Sequence, residues 1–323
     1  MTVSGWLFDV YPSADKMVLW VKQKNGQAIR LEDNWTHSIF LAVNDQSDFA
    51  QVLQKEEIMA YVKSHEFVEK REKLTDIANS KVLKLTLHDS TKALKLARMI
   101  ESLGRFGRFR LYNVDISPEQ TYFYEHDLFS LAYCHVASKS SLDWQVNDKV
   151  ESVDYAVPDF RNMQFDIKVR KEDKILKFTD RLDAILIQNE KENYEIRKDS
   201  EIETLKAFEN EVAKIDPDFI LTSGGDSFIF PYLVSRAETN GIELSLSREK
   251  TVLKRPNKDG TSYFSYGKIH FKPSATRLHG RVHIDRHHSF MTEETGLEGL
   301  YEVARLCRLP LHAAARASIG KCL

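Results

Sequence analysis

The chain has 323 residues, 42 % of them hydrophobic and 29 % charged, and 46 Lys+Arg against 48 Asp+Glu leave a formal net charge of -2. That length suits two domains with a core in each, and the charge balance excludes a whole-molecule basic field, so any nucleic-acid contact has to be a local patch. Cys134, Cys307 and Cys322 are scattered and lack CxxC spacing, which excludes a disulfide framework or a thiolate zinc site and makes a reduced, cytoplasmic setting the expectation.

No apolar run is long enough to cross a membrane. The N-terminus, with Asp9 soon after Trp6, is not a signal peptide. A monomer without a membrane partner is expected.

The opening reads as an antiparallel meander. Ser4–Tyr11 and Lys16–Lys22 are strand-like runs around Pro12-Ser13-Ala14-Asp15, and Asn25-Gly26 turns into Ala28–Leu31 before a further run at Ser38–Val43. Asp48 to Leu74 carries helical spacing and heavy charge and predicts solvated helices. Lys81–Leu87 alternates as a strand. Ser90 then stands where an N-cap belongs, ahead of a face of Ala93, Leu96, Ala97, Ile100 and Leu103 that ends at Gly104, and Phe109–Val114 returns as a strand. This β-α-β piece suggests a ferredoxin-like half. Arg105, Arg108 and Arg110, interleaved with Phe106, Phe109 and Tyr112, form either a nucleic-acid face or a plain strand with exposed arginines. Tyr122–Ala137 is aromatic-rich, Ser138–Val150 is polar, and a boundary is placed near Val157-Pro158-Asp159.

From Met163 the pattern becomes α/β. Strands are predicted at Met163–Val169, Leu182–Gln188 and Tyr194–Arg197. Ser200 with Glu203 makes a capping box for a helix whose face is Ile202, Leu205, Phe208 and Val212. Phe219–Thr222 is a short strand, Gly224-Gly225-Asp226 a turn, and Pro231 opens a helix that runs to Asn240-Gly241. Three strands, a helix, a strand and a helix is the order of a ribonuclease-H-like domain. Lys250–Ser262 reads as a charged loop, Arg281–Asp285 as a strand and Gly296–Leu306 as a helix. The ending at Leu323 is abrupt, so a fragment of something longer is expected.

Several pieces resemble one family in one order. Met163-Gln164-Phe165-Asp166-Ile167-Lys168 is similar to the first exonuclease motif of family B DNA polymerases, and Asp216–Leu233 resembles the second. Gly280-Arg281-Val282-His283-Ile284-Asp285 resembles a strand of the same domain, while Leu7-Phe8-Asp9, Ile39-Phe40-Leu41-Ala42 and Leu111–Ile116 resemble the family's N-terminal domain. The resemblance covers nearly the whole chain. It implies an α/β protein with three parts. Residues 1–157 are an α+β N-terminal domain with antiparallel strands, 158–300 a ribonuclease-H-like 3'-5' exonuclease-like domain, and 301–323 a segment leading toward a palm that this chain lacks. The implied partners are DNA, as primer-template or single strand, and the polymerase core. No cofactor is expected in this chain, although Mg2+ is expected for a full-length polymerase.

Proofreading hydrolysis in the family uses two divalent metals, typically about 3.5–4 Å apart, held by carboxylates. Asp166 matches the first ligand. The remaining positions are degenerate: Lys168 replaces a Glu, Ile229 an Asp and Gly224 an Asn, and Gly296 falls nearest the third-motif Asp. Loss of exonuclease activity is therefore expected, with Asp166 and Lys168 forming an ion pair. The chemistry suggests two alternatives. His283, Asp285 and His287, alternating along one strand face, could hold a transition metal for a nuclease of another kind. A non-catalytic interaction module is the other. For DNA contact the cationic run of Lys250, Lys254, Arg255, Lys258, Lys268, Lys272, Arg277, Arg281 and Arg286 supplies Arg255, Arg277 and Arg281, while Phe228 and Tyr232 either stack on bases or pack beneath the turn.

Overall fold

In a computed structural model of the chain, the residues described are 2–138, 141–171, 173–189, 192–256, 260–265 and 268–318. They fall into two compact units, one of residues 1–23 with 28–152 and one of residues 24–27 with 153–323. No helix among the described residues is long and apolar enough to cross a membrane.

The first unit contains β1 (Thr2–Ser13), β2 (Lys16–Lys22), β3 (Ala28–Asp33), β4 (Ser38–Val43), α1 (Ser47–Leu53), α2 (Glu56–Met59), β5 (Val62–Lys70), β6 (Ser80–Leu87), α3 (Ala93–Glu101), β7 (Phe109–Tyr112), α4 (Pro118–Glu125), β8 (Tyr133–Ser138) and β9 (Leu142–Val146). One antiparallel sheet has the order β3-β2-β1-β8-β9, the other β5-β6-β4-β7. The second sheet is the full ferredoxin-like β-α-β-β-α-β arrangement and not a half. Its missing strand, β5, lies within the stretch expected to be helical. Nearly every residue of β5 is exposed, so no apolar alternation marks it as a strand. Ser90 does not cap α3. Asp89 accepts from the Thr91 N–H to open a short 3-10 turn, while the Ser90 hydroxyl accepts from the His37 N–H at 2.9 Å. The buried face Ala93, Leu96, Ala97 and Ile100 is as predicted.

The second unit contains β10 (Asn162–Arg170), β11 (Arg181–Asn189), β12 (Asn193–Ile196), α5 (Glu201–Ile215), β13 (Phe219–Thr222), α6 (Phe230–Thr239), β14 (Gly260–Ser265), β15 (Lys268–Pro273), β16 (Val282–Asp285), α7 (Phe290–Leu306) and α8 (Leu311–Ala314). Its main sheet runs β12-β11-β10-β13-β16. β11 is antiparallel to both its neighbours, and β10, β13 and β16 are mutually parallel, the ribonuclease-H-like order. The Ser200/Glu203 capping box is formed in both directions. Thr204 is buried on α5, whereas Ile202, expected on that face, is 36 % exposed. Residues 260–273, expected within or beside a loop, form a separate hairpin, β14 with β15.

The core of this unit gathers Met163 and Phe165 from β10, Leu205, Phe208 and Val212 from α5, and Ile229, Phe230, Tyr232 and Leu233 around the start of α6. Beside it Arg236, on α6, pairs with Glu201 at 2.6 Å. Glu201 also accepts from the Leu182 N–H and from Asn240, so a nearly buried carboxylate ties β11, α5 and α6 together.

Candidate functional site

β13 ends at Thr222, whose register partner on β16 is Asp285. The chain then turns through Gly224, at φ +82°, into a π-helical turn over Gly225–Ile229 before α6 begins. Such turns leave several N–H groups without a helical partner, and here one acid collects them. The Asp285 carboxylate accepts from the N–H groups of Gly224 (2.8 Å), Asp226 (3.0 Å) and His287 (3.2 Å). His283 sits below it, its Nε2 bonded to Thr222 Oγ1 at 2.8 Å and its Nδ1 3.2 Å from the Thr276 carbonyl. Burial pushes the His283 pKa down to about 4, so this imidazole is neutral at pH 7. A Cβ on Gly225 would lie 2.0 Å from Thr222 Oγ1 and 2.9 Å from His283 Nε2, so no side chain fits there.

Asp226 points inward as well. It accepts from the Thr276 N–H at 2.6 Å and forms an ion pair with Arg316, whose other amino group donates to the Pro273 carbonyl. Metal-ligating atoms of Asp226, Asp285 and His288 lie within 4.8 Å of one another, and His288 Nδ1 is 2.9 Å from Asp285. This corrects the expected trio of His283, Asp285 and His287. The strand stops at Asp285 and a 3-10 turn occupies Arg286–His288, so strand alternation does not carry on to His287 and the residue that folds back onto Asp285 is His288. His283 is held by its two threonine contacts. The sequence does not single out Asp226, His288 or Arg316 as site residues. Arg316 meets Asp226 across 90 residues of sequence, and no local pattern signals that contact.

The positions compared with the exonuclease motifs are dispersed. Asp166 is exposed on β10, where one of its oxygens accepts from the Ile167 N–H, and it lines a shallow cavity of about 440 Å³ with Gln164, Leu186, Gln188 and Tyr194. The expected Asp166–Lys168 ion pair is replaced by another. Lys168 reaches across to Glu195 on β12 at 2.7 Å, and Lys168 followed by Arg197 holds the Glu195 carboxyl below its ordinary pKa. Ile229 is 2 % exposed within the apolar core. Gly224 and Gly296 offer no ligating side chain, and Gly296 kinks α7 at φ +68°, ψ -159°. One carboxylate, one ammonium and an alkyl group do not fit a two-metal centre.

The residues expected to touch DNA divide in the same way. Tyr232 is fully buried, its hydroxyl donating to the Asp180 carbonyl at 2.7 Å, and Phe228 stacks on it at 5.5 Å while packing against the core. Tyr232 therefore packs beneath the turn and cannot meet a base. Arg281 is buried and paired with Asp216 at 3.0 Å, so it too is withdrawn from any surface role. Arg277 is half-buried and near His312. Arg255 is exposed, with Glu238 at 3.6 Å, and Lys250, Lys254 and Arg286 are exposed as well. Lys258 and Cys322 lie outside the described residues. In the first unit Arg108 pairs with Asp48 and Arg110 with Glu72, so acids already occupy those two guanidinium groups.

Residues 178–296 match the exonuclease domain of DNA polymerase family B. A DNA polymerase of Pyrococcus glycovorans is 45 % identical over 73 residues, which is 22 % of this chain and 9 % of that protein. A DNA polymerase of Methanocaldococcus jannaschii is 25 % identical over 261 residues, covering 75 % of this chain and 14 % of that protein. The chain belongs to the family B DNA polymerases. The solved family B DNA polymerase from the hyperthermophilic archaeon Pyrobaculum calidifontis shares the fold at a TM-score of 0.74 and 17 % identity, over 99 % of this chain and 49 % of that one. The chain thus spans about half of that polymerase, and the matched stretches are smaller parts of the sequence relatives. Within the family B match lie the 224–229 turn, Asp285, His288 and Gly296, whereas Asp166 and Lys168 precede it.

Proposed function

We propose that this chain is the N-terminal and exonuclease-like portion of a family B DNA polymerase, that it binds primer-template and single-stranded DNA, and that its proofreading centre no longer hydrolyses phosphodiesters. The observation that carries the reading is Ile229. It stands where the resemblance places a metal-binding Asp, and it is sealed in the core beside Phe230. Lys168 adds to this by placing a cation, engaged with Glu195, where a carboxylate would hold one. The scaffold around the turn is complete in its glycines, Pro231 and aromatic residues, which supports a retained structural role. Nucleotide transfer, with the Mg2+ it requires, would belong to the other parts of a longer polymerase.

A nuclease using other ligands would draw on Asp226, Asp285 and His288. Arg316 already neutralises Asp226, and Asp285 is engaged with three backbone N–H groups, so both carboxylates serve the turn. DNA contact would come from the exposed cations Lys250, Lys254, Arg255 and Arg286. Equilibrium binding to a fluorescent primer-template across a salt series tests the proposal. Binding that weakens log-linearly with salt and leaves the DNA intact is expected. No binding at low salt would leave an interaction module without DNA.

A further inference from the structure

Away from the exonuclease motifs, a cavity of about 530 Å³ opens between the end of α5 and the segment 243–252 that follows α6. Among the residues lining it are Ser245, Arg248, Lys250 and Arg281. Two buried donors there have no hydrogen-bond partner: the Nε–H of Arg281, a residue 5 % exposed, and the hydroxyl of Ser245. Buried donors are rarely left open, and an unmet pair at one cavity marks a place for an acceptor.

The charge balance identifies that acceptor. Arg161, Arg248 and Arg281 converge on Asp216 at 2.7, 2.8 and 3.0 Å, and Arg248 also holds Asp218 at 2.8 Å. Three guanidinium groups therefore face two carboxylates. Burial, and then Arg248, push the Arg281 pKa down to about 10, as expected where positive charge outweighs its counterions. Glu209 also lines the cavity, but its carboxylate is committed to the Ser245 N–H at 2.9 Å, and Glu243 stands exposed. Lys250 is exposed and adds a further cation. Val212, Leu246 and Val252 supply an apolar wall. The volume falls within the usual range for small-ligand sites, about 300–1,000 Å³, and exceeds what a bare phosphate needs.

We infer that this cavity binds a phosphate-type oxyanion, free or carried by a mononucleotide, with Ser245 and the Arg281 Nε–H as its donors. The site is separate from the degenerate nuclease positions, and its occupancy does not depend on hydrolysis. The experiment is calorimetric titration of the 323-residue protein with inorganic phosphate and, separately, with a deoxynucleoside monophosphate, at ionic strength matched with sodium chloride. Saturable 1:1 binding is expected. Equal affinity for both would mean that the oxyanion alone is recognised, and tighter binding of the monophosphate that the apolar wall receives the nucleoside. Ser245→Ala, which leaves the buried ion pairs alone, should weaken binding about tenfold or more, since it removes one hydrogen bond to a charged ligand. Arg281→Lys should do the same while retaining the charge, if it folds. Absence of saturable binding up to about 10 mM of either probe, or unchanged affinity in Ser245→Ala, would overturn the assignment.

Discussion

Restoring the missing carboxylate by Ile229→Asp should not rebuild a metal site; it should unfold the second unit. Ile229 is 2 % exposed in a cluster with Met163, Phe165, Phe208, Phe230 and Tyr232. Removing a fully buried aliphatic side chain of this size loses about 1.5–3 kcal/mol of burial, and the smaller replacement leaves a void. A carboxyl without a partner adds about 1–3 kcal/mol even on the scale measured in proteins, and more when ionised. The sum, roughly 4–6 kcal/mol at neutral pH, is comparable with the whole stability of many domains. The introduced carboxyl would have a folded pKa raised above its unfolded value. Its extra penalty is therefore least below the unfolded pKa, near 4, and grows with rising pH by about 1.4 kcal/mol per pH unit until the folded pKa is passed. Urea unfolding of parent and variant at pH 5 and pH 7.5 measures both parts. Stability within about 1 kcal/mol of the parent would refute the reasoning. So would a Mg2+-dependent rise in the variant's midpoint, because either result would mean that position 229 faces a solvated, metal-competent pocket.

Four further outcomes follow from other parts of the fold. Glu201→Ala should destabilise the second unit by about 3–5 kcal/mol by stranding Arg236 in a nearly buried position, as read from denaturant midpoints. Burial raises the Glu201 pKa, but Arg236, Asn240 and the Leu182 N–H outweigh it and leave the pKa lowered; this contribution is present above the unfolded Glu pKa and is lost as the pH falls through the lower folded value. His283, held neutral with a folded pKa of about 4 against an ordinary 6.5, should remove about 3 kcal/mol of stability as the pH falls from 6.5 to 4, and His283→Asn should flatten that slope in a pH series of thermal melts. Gly296→Ala, at φ +68° and ψ -159° with open space around the missing Cβ, should cost about 1–3 kcal/mol through backbone strain alone, measurable as a shift in urea midpoint.

The parts of the fold that the sequence displays are those whose signals are local. β4 begins and ends at Ser38 and Val43 because a continuous apolar run is bounded there by polar residues, and the Ser200/Glu203 box fixes the start of α5 by chemistry confined to four residues. β5 escapes notice because its side chains face water along nearly its whole length, so the only visible feature is charge. The turn at Gly224–Asp226 is legible as a glycine-acid bend, but its π-helical path and its clamp on Asp285 depend on β16, which lies about sixty residues further on. The same distance problem hides Arg316 from Asp226. The histidine trio misleads for a different reason: period-two alternation does not outlast a four-residue strand, and the 3-10 turn brings His288 in place of His287 to Asp285. Arg281 looks like a DNA contact when counted among cations, and only the burial around Asp216 shows it to be internal.

Whether the nuclease centre is lost is tested most directly by incubating the protein with a 5'-labelled single-stranded oligonucleotide and Mg2+ or Mn2+, alongside Asp166→Ala. The account predicts full-length DNA in both reactions after prolonged incubation, with residual cleavage, where any occurs, indifferent to the substitution. Stepwise 3' trimming by the parent that disappears in Asp166→Ala would contradict it.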